Sequence, residues 1–215
     1  MKKLYTLIFA CLISGVAMAQ ETSGTTASGI KYGIKAGVNF AKVGVSGEGA
    51  EDWEEGLKAQ TSFQIGGYAD IALGSSFSIQ PGLTLSGKGF KQEVEDYKFS
   101  RNVMYLEIPV NAVYKIGGLY LGAGPYAGLA LSGKDKDEEE GEDSEEEKLK
   151  FGSDDEDDMK GTDFGVNLLA GYQLSNGVNF GLNYGLGLSN LANTPDGSDF
   201  KITNRVFSVT VGFSF

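Results

Sequence analysis

The residue types able to do chemistry are unevenly spread over these 215 residues. There is no histidine at all, which removes the commonest general base and metal ligand. Ser-His-Asp and Cys-His catalysis and His-built zinc sites are thereby excluded. Carboxylates are plentiful, with 29 Asp and Glu against 18 Lys and Arg. Between Lys134 and Asp163 there are 16 acidic and 5 basic residues, so this stretch alone accounts for the formal charge of −11. Its runs are Asp137 to Glu140, Glu145 to Glu147 and Asp154 to Asp158. A block of this kind repels itself and reads as a solvated, largely disordered loop. Its functional alternative is a weak collector of Ca²⁺ or Mg²⁺, with Asp154, Asp155, Asp157 and Asp158 as candidate ligands, or a dock for a basic partner. The DDEDD run lacks the spacing of an EF-hand loop, and so negative a segment repels nucleic acid. A paired-carboxylate mechanism could in form use Asp70 and Glu107, but salt bridges explain them more simply. The expectation is a protein without catalytic residues or cofactor.

The elements that carry these charges alternate with a period of two, the strand signature. Ile30, Tyr32, Ile34, Ala36, Val38 and Phe40 oppose Lys31, Lys35 and Asn39. The same alternation returns from Phe63, Phe77, Met104, Leu119, Phe164, Val178 and Phe207, giving eight strands and no convincing helix. The connections run roughly 42–60, 73–76, 89–101, 117–118, 132–162, 175–177 and 192–202, long and short in strict alternation. Gly117-Gly118 and Ser175-Asn176-Gly177 are tight hairpin chemistry. Short turns at one end and long loops at the other follow the plan of outer-membrane barrels.

A soluble barrel hides its apolar face, whereas a barrel in lipid shows it. Gly, Ser and Asn on the polar face suit a narrow eight-stranded interior. Aromatics mark the apolar face in two rows. Tyr32, Phe77, Tyr114, Tyr172 and Phe213 lie toward the short turns, and Phe40, Phe63, Phe164 and Phe207 toward the long loops. The last strand ends on Phe215, read as a signal for the barrel assembly machinery. The expected architecture is thus all-β, an eight-stranded antiparallel transmembrane β-barrel with short periplasmic turns and long extracellular loops, in contact with outer-membrane lipid. The polar face places Lys31, Lys35, Asp70, Lys88, Glu107 and Lys115 in the lumen, with Tyr68, Tyr105, Tyr120 and Tyr126. They read as a paired polar core, the alternative being a constricted solute pathway. Pro81, Pro109 and Pro125 fall inside strands and ask for bulges. Trp53, in GAEDWEEG, is placed at headgroup level or on a contact surface.

Met1 to Ala19 carries a basic start, an apolar stretch and an Ala17-Met18-Ala19 cleavage site, the pattern of a signal peptide; a retained anchor helix is the alternative. Cys11 leaves with it. Residues 20–29 form a polar leader and 30–215 the barrel.

The stretches FSIQPGLTLSGKGF (77–90), YLEIPVNAVYK (105–115), LGAGPYAGLAL (121–131), FGVNLLAGYQL (164–174) and NRVFSVTVGFSF (204–215) resemble the PorT-type outer-membrane β-barrel family common in Bacteroidota. The resemblance covers residues 30 to 215 and implies an eight-stranded outer-membrane protein. Three functional readings stand beside it: a structural or interaction barrel, a narrow channel for small solutes, and, by analogy with the family's name, an accessory role in protein secretion.

Overall fold

The computed structural model describes residues 29–54, 56–94, 97–139, 144–154, 156–194 and 198–215. The expected signal peptide, and the leader up to its last residue, lie outside the described residues. The chain forms strands β1 (Ile30–Ser46), β2 (Leu57–Lys58), β3 (Gln60–Ala72), β4 (Phe77–Val94), β5 (Tyr97–Ile116), β6 (Leu119–Glu139), β7 (Glu145–Lys148), β8 (Thr162–Gln173), β9 (Val178–Gly187) and β10 (Lys201–Ser214). One short helix, α1 (Ala50–Glu54), follows β1. Eight of these strands close a ring, in the order β4, β3, β1, β10, β9, β8, β6, β5 and back to β4, every pair antiparallel. The two short strands lie off the ring: β2 on β4, and β7 on β6.

The alternation decides which way each side chain points. Leu121, Phe180 and Val211 face outward and are more than half exposed, and both expected aromatic rows lie on that outer surface. Phe77 packs on Tyr114 at 4.6 Å between ring centres in one row, and Phe40 on Phe207 at 6.4 Å in the other. Inward residues include Asn39, Gln64, Thr84, Asn111, Asn179 and Ser208, all buried. A polar interior inside an apolar wall is the inverse of a soluble domain and is what lipid demands. The short turns use backbone that only glycine adopts freely: Gly117 has φ of 60° and Gly177 of 94°.

Three expectations need correction. The 89–101 and 132–139 stretches are not loop, because β4, β5 and β6 run well past the aromatic row and pair to their tips, from Phe90↔Arg101 to Val94↔Tyr97. Charged residues suit such strands once both faces leave the lipid. The prolines do not use bulges. Gaps in the ladder flank them with register unchanged on either side: Tyr68↔Gly82 resumes at Ile71↔Ile79, and Pro109↔Tyr126 resumes at Ala112↔Ala123. Each ring nitrogen thus leaves a hole in one ladder instead of shifting it. The one register shift falls between Met104 and Tyr105, where β6 inserts Leu131. Finally, residues 50–54 are helical, and they cover the barrel mouth.

Candidate functional site

The inward charges gather at two levels. Nearer the long loops, Lys88 on β4 points across the lumen. Its Nζ lies 2.5 Å from Glu107 Oε1 on β5 and 2.7 Å from Asp163 Oδ2 on β8. Two aromatic rings flank the ammonium, Tyr126 at 4.3 Å and Tyr105 at 5.2 Å from their centres, a cation–π geometry. Asp163 is fully buried and also accepts hydrogen bonds from Tyr126 Oη at 3.1 Å, Asn204 Nδ2 at 2.8 Å and Ser189 Oγ at 3.2 Å. An ion pair this deep persists only if its remaining lone pairs are satisfied, and Asp163 has that saturation. Directly beside it lies an uncharged network: Asn39 donates to Ser86 Oγ at 3.1 Å and to the Gly87 carbonyl at 2.9 Å, and accepts from Gln64 at 2.9 Å.

The second level is at the short-turn end, where Lys115 pairs with Asp70 and Lys31 stands opposite Asp70 in the β1–β3 register. Between the levels Lys35 borders a cavity of about 60 Å³, with Thr84, Asn111 and Asn179 in its wall. That volume suits a few waters, which the polar lining can hold. The structure therefore brings Lys88 together with Glu107, and Asp70 with Lys115, but separates the carboxylates Asp70 and Glu107 by pairing each with a different lysine.

Asp163 is the functional residue that sequence reading missed, having been counted as the end of the acidic loop. Its parity with Gly165 and Asn167, both inward on β8, was the available signal. Four of the five stretches that resemble the PorT-type family contribute to this hub, through Lys88, Tyr105 with Glu107, Tyr126, and Asn204, while Asp163 immediately precedes the fifth.

Above the hub the interior turns apolar. Val43, Val45 and Phe90 pack with Trp53, Phe99, Phe200 and Ile202, and Val103 and Tyr105 with Met159 and Leu191. Trp53 sits 5.8 Å from Phe90 and 6.1 Å from Phe200 between ring centres. It is neither at headgroup level nor on a contact surface, because α1 folds it into the mouth. The described parts of the acidic segment fold back on the barrel. β7 pairs back on the end of β6, Lys134 reaches Glu146 at 2.9 Å, and Leu149, Phe151 and Met159 pack into or against the mouth. Apolar side chains spaced among the carboxylates tie it down.

At this rim, outside the apolar belt, the Asp137 carboxylate beside Tyr97 pushes the phenol up to about 12. Lys136 holds the Glu138 carboxyl below the ordinary carboxylate range, and Lys134 does the same for Glu146. Of the candidate cation ligands, Asp155 lies outside the described residues. The carboxylates of Asp157 and Asp158 accept the backbone N–H groups of Asp154 at 3.0 Å and Lys150 at 2.7 Å. Among the described residues no three acidic side chains converge as a metal would need.

The profile of a family described as outer membrane protein beta-barrel domain matches residues 18–193. No curated protein matches the chain. Among solved structures, the attachment invasion locus protein Ail of Yersinia pestis is similar at 14% identity and a TM-score of 0.46, over 86% of this chain and 99% of that one. Neisserial surface protein A is similar at 14% identity and 0.42, over 86% and 97%. The outer membrane protease OmpT of Escherichia coli is similar at 14% and 0.36, over 91% and 99%.

Proposed function

The chain belongs to the outer membrane protein β-barrel domain family, and from that premise we propose that it is a non-enzymatic barrel whose lumen is closed and whose work is done by its long loops. The observation that carries this reading is the Lys88 hub. An ammonium gripped by Glu107 and Asp163 and flanked by Tyr105 and Tyr126 fills an interior that eight strands leave only wide enough for side chains. The Asp70–Lys115 pair obstructs the other end. Lys88 engages Glu107 and Asp163, Lys115 engages Asp70, and the chain has no histidine, which supports the non-enzymatic reading.

In this reading the short turns face the periplasm, reached through the signal peptide, and the long loops face outward. Phe215 is the assembly signal read by the barrel assembly machinery, and the acidic rim is the surface for a basic partner or divalent cations. The narrower PorT-type identity rests on the stretches that build the hub.

Single-channel recording of the barrel in a planar bilayer, with and without residues 134–163, tests the closed lumen. A silent bilayer, with a gel shift between boiled and unboiled samples proving insertion, is the expected result. Steady salt-dependent openings would replace this reading with a narrow channel. Loss of secreted cargo on deletion of the protein would instead assign it an accessory role in secretion.

A further inference from the structure

On the outer wall, β1 and β10 place two cations directly opposite each other. Lys42 and Arg205 are Cα partners in the β1–β10 register, and both side chains are exposed. Like charges facing across a ladder repel, and neither has an ion-pair partner among the described residues. Lysines also face each other at Lys58↔Lys91 and Lys134↔Lys148, but there Glu93 compensates Lys58 and Glu146 compensates Lys134. Two pleats farther from the belt, Ser46 stands opposite Lys201, also exposed. In a chain of net charge −11, this strip is positive without compensation.

Its position explains what could compensate it. One pleat toward the belt the same two strands carry Phe40 and Phe207, stacked at 6.4 Å, and β9 adds Tyr184 opposite Phe207. Phe40 and Phe207 belong to the aromatic row that marks the long-loop edge of the apolar belt. The two cations therefore stand one pleat above the end of the acyl region, where lipid headgroups lie. An open groove of about 510 Å³ joins the two zones, lined by Phe40, Tyr184 and Phe207 below and by Lys42, Gly44 and Arg205 above. Gly44 has a specific part in it. A Cβ there would lie 2.4 Å from Arg205 Nε and 2.6 Å from its Cζ, so the bare glycine lets the guanidinium lie flat against the strand.

We propose that Lys42 and Arg205 form a clamp for the phosphate of an outer-leaflet lipid whose acyl chains rest on Phe40, Tyr184 and Phe207. A phosphate satisfies both cations at once, and the guanidinium fork matches its oxygens while the lysine supplies a point charge. The chemistry is that of a phosphorylated glycolipid or phospholipid headgroup. The proposal rests on the outer-membrane reading.

The test is native mass spectrometry of the full-length barrel, released from membranes in detergent and offered diphosphoryl lipid A or its dephosphorylated form. The barrel is expected to retain the phosphorylated lipid. The double variant Lys42→Gln/Arg205→Gln should lose retention by roughly tenfold or more, while the charge-conserving Lys42→Arg/Arg205→Lys keeps it. Gly44→Val leaves both charges in place and displaces the guanidinium, so it should lose part of the retention; it decides the matter if the neutral double variant does not insert. Equal retention by an inserted neutral variant and by Gly44→Val, or equal retention of the dephosphorylated lipid, overturns the clamp. Displacement of the lipid by inorganic phosphate regardless of acyl chains also overturns it, reassigning the strip to a free anion. Failure of the unaltered barrel to shift between boiled and unboiled gel samples refutes the membrane reading itself, which separates the two failures.

Discussion

The same strands obey opposite rules at two heights. Through the belt, β1 turns Lys35 and Asn39 inward and Ile34, Val38 and Phe40 outward; three residues later Val43 and Val45 are the buried ones and Lys42 and Ser46 the exposed ones. β4 changes between Lys88 and Phe90, and β10 between Phe207 and Arg205. Backbone, pairing and parity are continuous through the change. Only the surroundings differ: lipid outside the belt, water outside the mouth. The lower section buries polar groups because its outer face is already satisfied by acyl chains, and the upper section buries Phe90, Trp53 and Phe200 for the ordinary hydrophobic reason.

The largest test of this contrast is at its hinge. Asp163→Ala leaves Lys88 with Glu107 alone and strips a partner from Tyr126, Asn204 and Ser189. Breaking a buried pair in this way should cost about 3–5 kcal/mol, read as a lower urea midpoint for the barrel in lipid. An unchanged midpoint would mean that the hub is not a structural unit. Val209 faces outward between Val38 and Leu182 in the belt, so Val209→Arg should cost about 2–4 kcal/mol. The same residue placed at Ser46, outward but beyond the crossing, should shift stability by less than about 0.5 kcal/mol. Equal costs at the two positions would erase the boundary. Val43→Asn puts an unpaired amide into the apolar mouth at about 1–3 kcal/mol. Its readout is faster protease nicking of the long loops while the barrel still shifts between boiled and unboiled gel samples.

Trp53 is the chain's single tryptophan, so intrinsic fluorescence reports the mouth. Brominated acyl chains should leave it unquenched; strong quenching would return it to the lipid interface. The smallest effect is at the rim. Glu138 and Glu146 are held below the ordinary carboxylate range by Lys136 and Lys134. A depressed carboxyl contributes above its unfolded value and loses that contribution as pH falls through the folded one. Amide exchange over 134–139 and 145–148 should therefore quicken as pH drops below the ordinary carboxylate range, after correction for the intrinsic rate. No change would mean that these exposed pairs contribute nothing, as surface pairs often do.

The alternation of Ile30 to Phe40, and of Phe207 to Phe215, made the ring legible in sequence because a period of two allows each residue only one face. The lumen residues Lys88, Glu107, Asp70 and Lys115 were legible for the same reason, but their partners were not, since register across the barrel depends on how the ends close. Asp163 was lost because a charge count has no parity. Trp53 and the β6–β7 hairpin were lost because segments whose order comes from contacts with the mouth show no periodicity of their own. The strand extensions beyond the aromatic rows were hidden for a related reason: with water on the outside, polarity inverts and the expected pattern ends before the strand does.

The ring is sealed between β1 and β10, from Gly33↔Ser214 to Ser46↔Lys201, with Phe215 and Tyr32 exchanging backbone hydrogen bonds at 2.8 and 3.1 Å. The seam thus joins segments some 170 residues apart in the chain, the slowest kind of contact to form. Until residues 201–214 arrive, β1 and β9 are open edges that acyl chains cannot satisfy and that neighbouring chains can. Closure of the ring therefore waits on β10, and a chain cut before it is predisposed to aggregate rather than to form a smaller barrel.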